Sequence, residues 1–444
     1  MEPLVNLFEA LWDSLRVSGP TPQVANEINQ HVHHGDQSLE CCLLQTELAR
    51  VTGEPLAALQ IASSLCKQTL NRAKNDQPRL ASLFLHRLGL LRREQSQFKE
   101  AASAFLEAMK LAPSQIESLH ALQFTKLDDT HLGQLLPELE ELLRAMPTAA
   151  SPLASQLLAD WQFRLGDREN SLTRSFHAAQ QAVPSEYHYS LDKLSPPSLP
   201  EALIIGAPKS GTTSLAAWLS NHPQIYVHPR KELHFFDTRW ERGENWYRCQ
   251  FPVFKPSQHP IIRLEATPNY LQLPEIPIRV SSLMPQARLI VILRHPVDRA
   301  LSWYHHIVRQ EGVTDSAATI FSQELDELEA LSKDDHSAIG WHGTNCLAGS
   351  FYRTQLSRWR SAFPPAQLLI LQMEAVLGQP EATWKKIEQF LGLTNSKILL
   401  PNDKPLPHLN HAPGTYASLE FSLRSRAELL LKEDILLWES LKEH

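Results

Sequence analysis

No stretch of the first fifty residues is apolar for long enough to form a signal or membrane segment, and that region holds seven acidic side chains against two basic ones. Cysteine is scarce. The five present, Cys41, Cys42, Cys66, Cys249 and Cys346, have neither paired nor metal-type spacing. An odd number of unpatterned thiols excludes a disulfide framework and suits a reducing compartment. Surplus positive charge is also missing: the net charge is −7, which argues against a general nucleic-acid binder but leaves room for a local basic pocket around an anion. A soluble, unexported protein is expected. At 444 residues the chain exceeds one ordinary core, so two or three domains are expected. With 43% hydrophobic and 20% charged residues it is globular in composition, unlike a disordered chain.

A Walker loop is absent too, yet something close to it is present. Residues 201–219 read EALIIGAPKSGTTSLAAWL. Ala202 to Gly206 is an uninterrupted apolar run, the pattern of a strand covered on both faces. Gly206, Pro208 and Gly211 then supply a turn, and Leu215, Trp218 and Leu219 share one face of a helix opened by Thr212, Thr213 and Ser214. Strand, glycine-rich turn and helix start aim backbone N–H groups and the positive helix end at one point, with hydroxyls and an ammonium nearby. That is a phosphate site. A Walker loop places Gly-Lys directly before Ser or Thr, whereas Lys209 here lies two residues before Gly211.

PKSGTTSL resembles the 5′-phosphosulfate loop of sulfotransferases that use 3′-phosphoadenosine 5′-phosphosulfate, PAPS. A second segment, RLIVILRHPVDRALSWY at 288–304, also runs from apolar strand into helix. It resembles the 3′-phosphate motif of that family, with Arg294, Pro296, Arg299 and Ser302 at the expected spacing. Arg294 falls at the carboxyl end of a buried strand, where open α/β sheets place ligand groups, and Pro296 suits a first helical turn. Ser302, about two turns further on, is placed near the phosphate by the family pattern. Arg299 is open to a second reading, as a plain surface charge.

Between these motifs lies RKELHFFD, residues 230–237. In the heparan-type sulfotransferases it resembles, the glutamate of a similar string is the general base, which implies that role for Glu232. His234 and Asp237 stand where companions of the base occur. The aromatic pair would give a dry wall beside the carboxylate and raise its basicity; an amphipathic strand with charged edges is the alternative. In IIRLEATPNYL, residues 261–271, the chain departs from several relatives, which carry a lysine where Ala266 stands. Lys231 or Arg263 could replace that charge, though nothing in the sequence places either.

Residues 1–184 read as helices throughout. Leu85, Leu88, Gly89, Ala101, Phe105, Ala108 and Pro113 fall close to a tetratricopeptide pattern. Trp161, Leu165, Gly166, Phe176, Ala179 and Pro184 form a second, shorter copy, and Gly53 with Ala58 hints at an earlier one. Small residues would let paired helices approach. His31, His33 and His34 lack further metal ligands and read as a solvated loop. Pro184 to Pro200, with four prolines, is the linker. Residues 310–345 form a polar insertion with a charged, solvated helix face. Gln367–Gln372 is a core strand, and an amphipathic helix over 418–441 ends the chain. The proline-rich 400–416 resembles a loop that closes over nucleotide, where Tyr416 is the family's contact.

The expectation is therefore an α/β sulfotransferase fold over 201–444, a P-loop-type parallel sheet flanked by helices, after a helical-repeat domain at 1–184 and a linker at 185–200. The resemblance implies PAPS as co-substrate with no metal, since lysine and arginine supply the counter-charge. Ser210, Gly211, Thr212, Thr213 and Ser214 would hold the 5′-phosphate, Arg294 and Ser302 the 3′-phosphate, and Lys209 the leaving oxygen. The acceptor implied is a glycan, with the repeats binding a protein or a second copy. Animal glycan sulfotransferases of this family are typically anchored Golgi proteins. Without an anchor-like run, this chain is expected to be a cytoplasmic, bacterial-style enzyme. Two alternatives are a small-molecule kinase, which would prefer ATP, and a non-catalytic scaffold, which would transfer no sulfate.

Overall fold

The computed structural model describes residues 11–12, 22–32, 38–52, 54–64, 67–114, 116–146, 151–183, 198–254, 261–311, 313, 315–331, 345–393 and 419–441. They form two compact units, one drawn chiefly from Met1–Arg174 and the other from Ser175 onward. The proline-rich stretches at 184–197 and 400–416, with Tyr416, lie outside the described residues, as do Gly53, His33 and His34. His31 lies within the helix Pro22–Val32 and so is not part of a loop.

The described secondary structure of the first unit is helical. Its helices start where the side chains dictate: Ser38 accepts the N–H of Cys41 at 3.3 Å ahead of Leu39–Val51, and Asp128 accepts that of His131 at 2.8 Å ahead of Asp129–Ala145. The helices Pro78–Glu94 and Phe98–Leu111 close over a small residue. A Cβ built on Gly89 would lie 2.5 Å from the ring of Phe105, so only glycine allows the approach. Ser82 Oγ donates to the Ala108 carbonyl at 2.8 Å across the same pair. Phe84, Leu85 and Leu88 fill one apolar cluster; Phe105, Leu139, Leu158 and Trp161 fill the next.

In the second unit, β1 (Ala202–Gly206), β2 (Ile225–Val227), β3 (Ile262–Ala266), β4 (Arg288–Leu293) and β5 (Leu368–Gln372) form a parallel sheet in the order β2-β3-β1-β4-β5. All of β1 is buried, as its continuous apolar run requires. The order in which strands are laid down reverses at β1, so ligand groups are expected beyond its carboxyl end. The helices Thr212–Leu219 and Pro380–Leu391 share a core with the sheet, where Trp218 meets Trp384 edge-on with centroids 5.1 Å apart.

One alternative reading falls and one expected element differs. RKELHFFD is not a strand; it loops out after β2, where His228 N–H still reaches the Leu264 carbonyl, and it returns to β3 through Glu232 N–H to the Ala266 carbonyl, each bond at 3.0 Å. The last helix is two, Phe421–Leu430 and Lys432–Ser440. They break at the buried Leu431, and Asp434 in the second turns inward to accept the backbone N–H of Arg353 at 2.8 Å.

Candidate active site

Beyond β1 the chain passes too close to its neighbours for a side chain: a Cβ on Gly206 would lie 2.5 Å from that of Leu271. Lys209 then adopts φ 68° and Gly211 φ 90°. Gly211 is the N-cap of Thr212–Leu219 and brings no capping oxygen, so the positive helix end stays available to an anion. Ser210 and Thr212 are buried, while Thr213 and Ser214 remain half-exposed. The Thr213 hydroxyl accepts from Lys231 Nζ at 2.5 Å.

Arg294 follows β4, the strand beside β1, and Ala207 N–H extends that ladder to the Ile292 carbonyl at 2.9 Å. The two loops are joined by a residue that the sequence reading did not assign to the site. Tyr352, fully buried, donates its hydroxyl to the Arg294 carbonyl at 3.0 Å and lies beside Ser210. Burial pushes its phenol up to about 12. Ser302 is half-buried on the helix Pro296–Glu311, and no bond joins it to Arg294. Arg299 is not a surface charge. It is fully buried, with Nε donating to Ser350 Oγ at 2.6 Å and Nη2 to the Cys346 carbonyl. Glu324, expected within a solvated stretch, is also buried and accepts the N–H groups of Cys346, Leu347 and Ala348 at 2.7, 2.9 and 2.8 Å. Together they fix the turn that delivers Tyr352.

Glu232 emerges at the carboxyl edge beside β3, the other neighbour of β1. Its Oε1 is 3.1 Å from Lys231 Nζ and its Oε2 3.5 Å from His234 Nε2; His234 Nδ1 is 2.6 Å from Asp237 Oδ2. Thr213, Lys231, Glu232, His234 and Asp237 thus form one polar chain. Burial would raise the Glu232 carboxyl, but the Lys231 ammonium and the His234 hydrogen bond outweigh it and hold the group at about 2. Burial would lower His234, but hydrogen bonds to Asp237 and Glu232 lift it to about 9. The expected aromatic wall that raises basicity is therefore corrected. Phe235 and Phe236 turn into the core, Phe235 stacking on Tyr247 at 4.2 Å, and cations surround the carboxylate instead.

The loop is anchored from below by a second group that the sequence did not disclose. Glu265, 1% exposed in β3, accepts the hydroxyls of Tyr247 at 2.7 Å, Tyr270 at 3.0 Å and Thr267. Burial raises its carboxyl despite those donors. Tyr270 Oη in turn accepts the N–H groups of Phe235 and Phe236 at 2.8 and 3.3 Å, and Thr267 Oγ1 accepts that of His234 at 3.3 Å. Its one sequence signal was an acid inside an apolar strand. The anchoring matters because Glu232 and His234 sit at φ 66° and 53°. Among the described residues four non-glycines have positive φ, and three are Lys209, Glu232 and His234. Such backbone costs about 1–3 kcal/mol per residue and persists where surroundings over-determine it.

Residues 199–410 match the family model described as "Sulfotransferase domain". The human "Bifunctional heparan sulfate N-deacetylase/N-sulfotransferase 3" is 35% identical over 230 residues, 48% of this chain and 23% of that protein. The mouse "Heparan sulfate glucosamine 3-O-sulfotransferase 3A1" is 30% identical over 243 residues, 53% of this chain and 57% of that one. The chain thus spans less than two thirds of the length of either relative. The solved sulfotransferase from Alicyclobacillus acidocaldarius is 26% identical, covering 55% of this chain and 96% of its own, with a TM-score of 0.42. The curated relatives, from human, cattle and mouse, overturn the expectation of a cytoplasmic, bacterial-style enzyme, since they belong to the animal heparan sulfate class. That expectation rested on a missing apolar run. Among the described residues no helix is long and apolar enough to cross a membrane, a statement about those helices and not about a compartment.

Proposed function

We propose that this chain, whose residues 199–410 carry a sulfotransferase domain, moves the sulfuryl group of PAPS onto a hydroxyl or amine of a glycan. The observation that carries the reading is the polar chain from Thr213 through Lys231 to Glu232, which joins the phosphate loop to a carboxylate on the loop bonded to the end of the neighbouring strand β3. The residues fit a nucleotide phosphorylated at both ends: one loop follows β1, another follows β4, and Tyr352 spans them. PAPS supplies an activated sulfuryl group whose leaving group is a phosphate.

The backbone of 210–214 with the hydroxyls of Thr212, Thr213 and Ser214 grips the 5′-phosphate, and Lys209 neutralises the departing oxygen. Arg294 and Ser302 take the 3′-phosphate. Glu232 accepts the proton of the attacking hydroxyl or amine. His234, held as imidazolium by Asp237, orients that carboxylate. The glycan acceptor is suggested by the heparan sulfate relatives. We take residues 1–184 as a repeat module that presents acceptor or pairs copies, 185–200 as linker and 201–444 as the catalytic part.

Glu232→Gln tests the assignment. Removing a general base lowers turnover by on the order of 10²–10⁴, while affinity for 3′-phosphoadenosine 5′-phosphate stays at the wild-type level by calorimetry. Normal turnover from labelled PAPS onto a glycan panel would refute the assignment.

A further inference from the structure

The polar chain contains a cation to which the scheme above gives no chemical task. Lys231 Nζ sits between two groups with defined tasks, 2.5 Å from the hydroxyl of Thr213 on the phosphate-loop helix and 3.1 Å from Oε1 of Glu232. In an in-line transfer the migrating group lies between the leaving phosphate and the acceptor atom, so it lies between the phosphate grip and the base. Its non-reacting oxygens need positive charge there.

Neighbouring cations are committed elsewhere. Arg263 pairs with Glu201, donates to the Pro252 carbonyl at 3.0 Å and covers the ring of Phe254. Arg239 is bound to the Leu233 carbonyl, and Arg279 to that of Phe236 at 2.6 Å. The end of β3 offers only the buried methyl of Ala266.

Resting on the sulfotransferase reading, we propose that Lys231 is the cation that meets the transferring sulfonate, reaching it from the hydroxyl of Thr213 and the carboxylate of Glu232. Its N–H groups donate to the non-reacting sulfonate oxygens. The acceptor oxygen or nitrogen forms a bond to sulfur as the bond from sulfur to the 5′-phosphate oxygen breaks. The electron pair leaves on that oxygen, and the acceptor proton passes to Glu232. The same move frees the base. The ammonium that now holds Glu232 down at about 2 turns toward the sulfonate, so the carboxylate gains basicity when donor is in place.

The test needs no acceptor. Full-length wild type, Lys231→Met and Lys231→Arg are titrated calorimetrically with PAPS and with 3′-phosphoadenosine 5′-phosphate, which lacks the sulfonate. With Lys231→Met, PAPS affinity falls about ten- to a hundredfold, the scale of one charged hydrogen bond, while affinity for the desulfated nucleotide stays within about threefold. Lys231→Arg recovers part of the difference. Equal changes for both ligands, or none, overturn the role of Lys231 and leave the sulfotransferase reading standing. A folded wild type that binds neither nucleotide overturns that reading and this inference with it.

Discussion

Asp237→Asn removes a charge without changing shape. Asp237 is 3% exposed in its side chain, and its Oδ2 lies 2.6 Å from His234 Nδ1. His234 is raised from 6.5 to about 9 against the pull of its own burial, with its hydrogen bonds to Asp237 and then Glu232 responsible. That rise corresponds to about 3 kcal/mol. Because the folded value lies above the unfolded one, this stabilisation is fully present below about pH 6.5 and is lost as pH climbs through about 9. An asparagine keeps a dipole but no charge, which leaves only the carboxylate of Glu232, at 3.5 Å from Nε2, to offset burial. The imidazole of the variant therefore titrates below the wild-type value, and the stability difference between pH 6.5 and 9 flattens, by at most about 3 kcal/mol. Deuterium exchange at the imidazole C2 of His234, followed by mass spectrometry across pH 5 to 10, reads the titration residue by residue; chemical unfolding at the same pH values reads the energy. A wild-type His234 midpoint near 6.5, or an unchanged midpoint in the variant, would refute the reasoning.

Arg294→Ala should weaken 3′-phosphoadenosine 5′-phosphate by about tenfold or more, the scale of one charged hydrogen bond; unchanged affinity by calorimetry counts against the 3′-phosphate role. Gly89→Ala forces a methyl against the fully buried ring of Phe105. The overpacking should cost about 1–3 kcal/mol and lower the helical unit's unfolding midpoint, and a neutral or raised midpoint would show that the ring can move aside.

The order of strands and helices around the phosphate loop was legible because a strand buried on both faces writes itself as an unbroken apolar run, as in Ala202–Gly206. The spacing of Arg294 from its strand was legible for the same reason. What the chain could not disclose was tertiary. Arg299 has the sequence surroundings of a helix surface, yet it points inward to Ser350 and Cys346, 51 and 47 residues away. Tyr352 is a plain helical aromatic until it is seen bonded to Arg294, 58 residues upstream. Nor does local sequence reveal which way Phe235 and Phe236 face, so the wall assigned to Glu232 was on the wrong side.

The left-handed backbone at 209, 232 and 234 has an evolutionary consequence. Glycine adopts that geometry without penalty, so each of these side chains stands against a local preference for having none. A descendant released from chemistry would drift there first. On the proposed assignment, glycine standing in place of Glu232 or His234 in a kindred chain would be the fossil of a lost reaction, carried on a sheet that still folds.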